Sequence, residues 1–261
     1  MKTNLLIGAI SGNYLPNDLE NWVNSSNWSD CDRVLLLYNP SNNGIEEYLQ
    51  EHNITVITPD FDFWGNQHNS FNFNTGICNF EISYDLIHNI RFFHIWNFLN
   101  QDDILYEKVL ITDVKDVYFN ENPFLNISND GITASSEVIT YESEQWNQEH
   151  IHYNLGMIGI HTLLTKPVYN VGVFGGSMEI VKNMCADIYL LSVGKFKVAD
   201  QTSFNYLIQT KYKNKTNFTS LNDYFAVHLH VINAGLVSFD LQTVSQYKIV
   251  HQYDRIKNFK R

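Results

Sequence analysis

Asp113 and Asp116 stand close together in "KVLITDVKDVYFNENPF", the stretch from Lys108 to Phe124. A lysine and an apolar run come first, so Asp113 falls where a buried strand should end. Two carboxylates at that place repel each other and are costly to dehydrate. A hard divalent cation, Mn2+ or Mg2+, offsets both penalties, because such ions take oxygen ligands and bridge to substrate phosphates. The plainer alternative has Asp113 capping a turn while Asp116 is solvated or paired with Lys115. The metal reading also sets a geometric condition. Residues i and i+3 of an extended strand face opposite sides, so the chain must turn between the two aspartates if they are to share an ion.

Three further stretches carry candidate chemistry. "VYNVGVFGGS" (Val168 to Ser177) places Gly172, Gly175 and Gly176 after a strand and ahead of a helix. A glycine turn there admits a ligand close to the backbone, and a helix N-terminus favours an anion, though an ordinary tight turn fits the same letters. "ADQTSFN" puts Asp200 and Gln201 at a helix start, where Asp200 as a bare N-cap is the simpler account. "IVHQYDR" puts His251 at the end of a late strand, where a third metal ligand could come from; a lone histidine is more often a core or surface residue.

The elements that must position these residues alternate in the first half. Strands over Asn4–Ile10, Arg33–Asn39 and Ile54–Asp60 are separated by helices over Asn17–Ser25, with Asn17 as cap, and over 44–52. That order predicts a parallel α/β sheet with helices on its faces. Ligands in such sheets sit beyond the carboxyl ends of the strands. Phe61–Phe80 reads as a long loop, and Ser83 caps a helix that ends before the strand over Lys108–Thr112. In the second half, a strand with irregular flanks covers "ITASSEVITYES", and His150–Leu164 fits either helix or strand. A helix beginning near Met178 stops at Gly194, and "YFAVHLHVINAG" and "YKIVHQYDRI" read as late strands. No linker or repeat divides the chain.

Composition narrows the function classes. The 261 residues are 44% hydrophobic and 14% aromatic, which is globular, and the net charge of -11 builds no basic stripe for nucleic acid. A phosphorylated ligand then needs a local cation, from a few Arg and Lys or from a metal. Cys31, Cys78 and Cys185 are scattered, the pattern of reduced thiols and a cytoplasmic protein. The apolar run near Met1 is too short for a signal peptide or a transmembrane segment and reads as a first strand.

In this order, the four stretches resemble the glycosyltransferases of GT-A fold, and the resemblance runs from the first strand to the last. "TDVKDVYFNENPF", "YNVGVFGGS", "DQTSFNYL" and "VHQYDR" are similar to the landmarks of one subgroup. The resemblance implies a single domain over 1–261, with a nucleotide-binding half (1–120) and an acceptor-binding half (121–261). Its fold would be a mostly parallel, Rossmann-type central sheet with a small mixed sheet in the acceptor half. It implies transfer of a hexosyl or pentosyl group from a UDP- or GDP-linked donor to a glycan or other hydroxyl acceptor. Asp113, Asp116 and His251 would hold Mn2+ or Mg2+, with Asp113 also near the ribose. Ala9, Ile10, Ser11, Gly12, Asp60 and Arg91 would line the nucleotide. Gly172, Gly175 and Gly176 would form an acceptor loop. Asp200 and Gln201 would face the reacting sugar, Asp200 either as the base of an inverting reaction or, as in some retaining families with a "DQ" element, orienting sugar hydroxyls. One departure stands out: Lys115 occupies the position two after Asp113, so a strict "DxD" is absent, and the lysine itself can supply positive charge.

Rival readings are a nucleotidyltransferase, a zinc hydrolase and a non-catalytic sugar-nucleotide or glycan-binding module. The first wants cations in an N-terminal glycine-rich loop, and "IGAISGNYLPND" has none. The second rests on His150 with His152, or His228 with His230, on one strand face.

Overall fold

The structure is a computed structural model that describes residues 3–256 apart from 12, 41–42, 60–84, 196 and 237. Gly12, Asp60, Cys78, the Phe61–Phe80 loop and the Ser83 cap lie outside the described residues. A seven-stranded sheet has the order β3-β2-β1-β4-β7-β6-β8. Its strands are β1 (Asn4–Ser11), β2 (Cys31–Tyr38), β3 (Thr55–Ile57), β4 (Lys108–Thr112), β6 (Ile132–Thr140), β7 (Pro167–Ser177) and β8 (Thr216–Thr219). β1, β2, β3 and β4 pair in parallel, as do β6 and β8, while β7 runs antiparallel to both of its neighbours. Strands β5 (Val117–Phe119), β10 (Ile249–His251) and β9 (Ala226–His228) form a second, mixed sheet. This mostly parallel sheet with a small mixed one is the α/β architecture that the sequence led us to expect.

The strands of the first half are apolar on both faces because helices cover both. Leu5, Ile7, Val34, Leu36, Val109 and Ile111 pack with α3 (Asp85–Leu99), α5 (Met178–Ser192) and α6 (Asp200–Gln209). Leu6, Leu35, Leu37 and Leu110 pack with α1 (Pro16–Ser25) and α2 (Ile45–Glu51). Burying each such side chain contributes about 1.5–3 kcal/mol. α1 begins at Pro16 rather than behind an Asn17 cap; the Asp18 carboxylate reaches back and accepts the Leu15 N–H at 2.8 Å. On the buried face of α1, the Trp22 Nε1–H donates to Thr112 Oγ1 at 3.0 Å, which pins the helix to the end of β4.

The second half settles one open segment and departs from expectation in two places. His150–Leu163 is helical, part of α4 (Gln145–Leu163), which is broken at Gly156 (φ 59°). That break removes the single clean apolar stripe by which a helix is read. β7 stays extended through Ser177 instead of ending in a glycine turn. Its glycines serve close approach within the sheet: a side chain at Gly175 would strike Ile127, and one at Gly176 would strike the Gly131 carbonyl. After β9, the chain enters α7 (Leu229–Asn233) rather than continuing as a strand. Among the described residues, no helix is long and apolar enough to cross a membrane.

Candidate active site

β4 and β7 deliver Asp113. The Asp113 N–H donates to the Gly172 carbonyl at 2.7 Å, one step beyond the last ladder pair, Thr112 with Val173. A side chain at Gly172 would strike the Asp113 carboxylate, so the glycine makes room for it. The next residue, Val114, packs over Gly8 of β1, where no side chain is tolerated either. The chain then turns from the large sheet into β5, which supplies the bend that the i, i+3 spacing demands. Asp116 sits at the entry to β5, and its carbonyl accepts the Gln252 N–H at 2.7 Å. Antiparallel pairing sets His251 opposite Val117. Gln252 turns left-handed immediately afterwards (φ 61°), ending β10 at His251.

Three residues from two chain segments thus converge. His251 Nε2 lies 3.3 Å from Asp113 Oδ2 and 3.7 Å from Asp116 Oδ1. One ligand atom from each of Asp113, Asp116 and His251 falls within 4.8 Å of the others. His251 is buried, and its Nε2 has no partner in hydrogen-bond geometry among the described residues. A buried nitrogen aimed at two oxygens, each offering a lone pair, is a donor set suited to a divalent cation.

Arg91 on α3 braces the cluster. Its Nη1 donates to Asp113 Oδ1 at 2.6 Å and its Nη2 to Asp200 Oδ2 at 3.1 Å. Asp200 Oδ1 accepts the Gln201 N–H at 2.7 Å, so both oxygens of Asp200 are engaged and the side chain is 3% exposed. The segment leading to α6 is fixed by two asparagines: Asn89 accepts the Ala199 N–H at 3.0 Å, and Asn154 donates to the Val198 carbonyl at 2.9 Å.

The charges are mutually dependent. Burial works to raise the Asp113 carboxyl, but the Arg91 guanidinium and then His251 outweigh it and hold it far below the usual carboxylate range. Burial raises Asp116, opposed by His251 and reinforced by Asp113 and Asp254. Burial works to lower His251, yet Asp116 and then Asp113 carry it above an ordinary imidazole. Burial and then the neighbouring His251 hold His228 well below that range.

A cavity of about 350 Å³ opens at this point. Ala9, Ile10 and Ser11 line it from the end of β1, Ile87, His88 and Arg91 from α3, and Asp113 to Asp116 from the turn. Tyr14, Asp254 and Arg255 complete it. Lys115, 45% exposed, lies 3.9 Å from Asp254 and stands over the Tyr14 ring at 5.5 Å. Tyr14, His88, Asp254 and Arg255 are contributors that the sequence argument did not single out, although Asp254 and Arg255 lie inside the quoted "HQYDR".

The remaining candidates divide. Gly172 adjoins Asp113, whereas Gly175 and Gly176 pair with Leu110 and Val109, back along the strand. Gln201 is buried in another cluster: its Oε1 accepts the Val171 N–H at 2.9 Å and its Nε2 donates to Glu137 Oε1 at 3.0 Å. Asn170 also donates to that Glu137 oxygen, at 2.5 Å, and accepts the Gly172 N–H at 2.7 Å. Neither proposed histidine pair shares a strand face. His150 and His152 lie on α4, one buried and one exposed, and His230 is on α7 while His228 ends β9. The sequence missed the partner that His228 does have, which is His251, at 3.0 Å between their Nδ1 atoms.

No protein-family model matches the chain, and no curated protein matches it. Among solved structures, the apo structure of the bifunctional glycosyltransferase WbbM is similar over 96% of this chain, with a TM-score of 0.59 and 15% identity. The chain spans 45% of that protein's chain, less than half its length. At that identity, what is shared is the fold.

Proposed function

We propose that the chain is a glycosyltransferase that takes a sugar from a nucleoside diphosphate donor and places it on a hydroxyl acceptor, with a divalent cation held by Asp113, Asp116 and His251. The convergence of these three side chains beside a cleft at the carboxyl end of β4 is the observation that carries the reading. The fold shared with a glycosyltransferase and the motif order support it.

The chain's own groups divide the work as follows. Asp113 Oδ2, Asp116 and His251 Nε2 would hold the cation, while Arg91 occupies the other Asp113 oxygen and fixes its rotamer. A divalent ion, when bound, supplies Lewis-acid stabilisation of the charge that builds on the leaving diphosphate. Lys115 and Arg255 line the same cleft and add positive charge toward that group. Ala9, Ile10 and Ser11, with Tyr14, offer the surface on which a nucleoside would lie.

Asp200 is assigned to holding Arg91 rather than to taking a proton, because both its oxygens already accept hydrogen bonds inside the protein. Both the inverting and the retaining scheme then need another residue at the reacting sugar. Gln201 is assigned to bracing β7 through Val171. We also propose that 1–261 is one domain with a nucleotide-binding half and an acceptor-binding half, since β6, β7 and β8 extend the sheet begun by β1–β4.

The test is a panel of UDP- and GDP-sugars, each with and without Mn2+, followed by thermal shift and by release of nucleotide. A stabilising donor that also turns over in Mn2+ is the expected result. Failure of every donor to shift the melting temperature or release nucleotide would remove the reading.

A further inference from the structure

We propose that His228 is a positioning residue that holds His251 with its Nε2 turned toward Asp113 and Asp116. The inference rests on the cation-binding reading of those residues. It arises from the small mixed sheet, each of whose strands meets the cluster. Asp116 precedes β5, His251 ends β10 and His228 ends β9, and the parallel register sets His228 beside His251.

Both rings are buried, at 2% and 1% exposure, with their planes 81° apart and their Nδ1 atoms 3.0 Å apart. Two imidazole nitrogens at that separation share a single proton, since two lone pairs repel and two N–H groups collide. The question is which ring donates. Nε2 of His251 faces the two carboxylates at 3.3 and 3.7 Å. To ligate a cation there it must present a lone pair, which leaves the proton of the neutral ring on Nδ1. In the cation-bound state His251 therefore donates and His228 Nδ1 accepts, so the proton of His228 belongs on Nε2. The usual partner of a metal-binding histidine is a carboxylate or a carbonyl. Here a second imidazole takes that place. The paired strands fix its position, and the contact sets both the tautomer and the ring angle of His251.

Two measurements decide this. The first is the tautomer of His228 in the wild-type protein saturated with diamagnetic Mg2+, read from long-range 15N–1H correlations at pH 8. A protonated Nε2 and a bare Nδ1 on His228 are expected; a proton on its Nδ1 overturns the inference. The second is Mn2+ affinity by calorimetry for His228→Phe and His228→Asn, with thermal melts of the metal-free proteins as folding controls. His228→Phe offers no acceptor, and its affinity should fall about 10–100-fold. His228→Asn returns a carbonyl oxygen near the lost Nδ1 and should recover most of that affinity. A folded His228→Phe that binds Mn2+ as tightly as wild type overturns the inference while leaving the cation site standing. Wild-type protein that binds neither Mn2+ nor Mg2+ removes the cation site and this inference with it.

Discussion

Asp113 follows β4, Glu137 lies in β6, and β7 runs between them, so the molecule holds two carboxylate clusters on either side of one strand. Around Glu137 the groups are neutral and complementary. Asn170 and Gln201 donate to it, Gln201 accepts from Val171, and Asn170 accepts from Gly172. Around Asp113 they are charged and in conflict. Two aspartates face one imidazole, and His251 Nε2, His228 Nε2 and Arg91 Nε have no hydrogen-bond partner among the described residues. A cluster kept only for stability gains by satisfying every member. The cluster with unmet nitrogens and competing charges is the one beside the cleft. Backbone strain, by contrast, sits at the satisfied cluster: Val138, next to Glu137, has φ 64°, and its N–H donates to Ser136 Oγ at 2.9 Å. That conformation, costly for a β-branched residue, accompanies the register shift in β6 at the point where Glu137 turns inward.

The sharpest way to break this comparison is to remove one carboxylate from each side. Asp116→Ala should reduce Mn2+ affinity by about 100-fold or more and abolish transfer, with the metal-free melting temperature unchanged or higher, because a like-charge neighbour is gone. A large fall in melting temperature would class Asp116 with the structural cluster. Asp113→Ala should lose binding equally but also destabilise the fold by up to about 3–5 kcal/mol, because Arg91 keeps only Asp200.

Glu137→Ala should do the reverse. It strands the Asn170 and Gln201 amide donors, at about 1–3 kcal/mol each, and should leave Mn2+ affinity within about threefold of wild type when measured well below the melting point. Glu137→Gln keeps an acceptor oxygen and should cost about 1 kcal/mol. A variant of Glu137 that keeps its melting temperature but loses metal binding would merge the two clusters into one site.

Gly172 touches both clusters, and Gly172→Ala drives a methyl group into the Asp113 carboxylate. Overpacking of this kind costs about 1–3 kcal/mol, and Mn2+ affinity should fall with it. Unchanged affinity would mean that Asp113 has room to move.

The smallest effect is in pH. His251 is raised in the folded protein, so its contribution to stability is full below the ordinary imidazole value of about 6.5 and is lost as pH rises through the raised one. The metal-free protein should therefore melt at lower temperature at pH 8.5 than at pH 6. Mn2+ and the proton compete for Nε2, so the stabilisation by Mn2+ should grow over the same interval. A Mn2+ effect that does not change with pH would exclude His251 as a ligand.

The readable parts of the fold were those with continuous burial. "RVLLLY" and "NLLIGAI" are covered on both faces and read directly as parallel strands. The strands β9 and β10 were legible but not their ends, since the stretch read as one strand turns into α7 after His228, and α4 is interrupted at Gly156. For the site, Asp113, Asp116 and His251 could be named because aspartates at a strand end and the motif order point to them. The double pairing of Arg91 could not be read, since it depends on how α3 meets both β4 and α6. Glu137 gave no local sign, because its partners lie in β7 and α6. His228 was visible in "HLH", but the nearer His230 drew the pairing, and only the register of β9 on β10 reveals the true partner.

The central claim is that Asp113, Asp116 and His251 hold a divalent cation for a diphosphate ligand. The most direct measurement is calorimetric titration of UDP and GDP into the protein, first in EDTA and then in Mn2+. The account predicts that one nucleotide binds in Mn2+ and that its affinity collapses in EDTA. Equal affinity in both would contradict it and would mean that Arg91, Lys115 and Arg255 neutralise the phosphates without a metal.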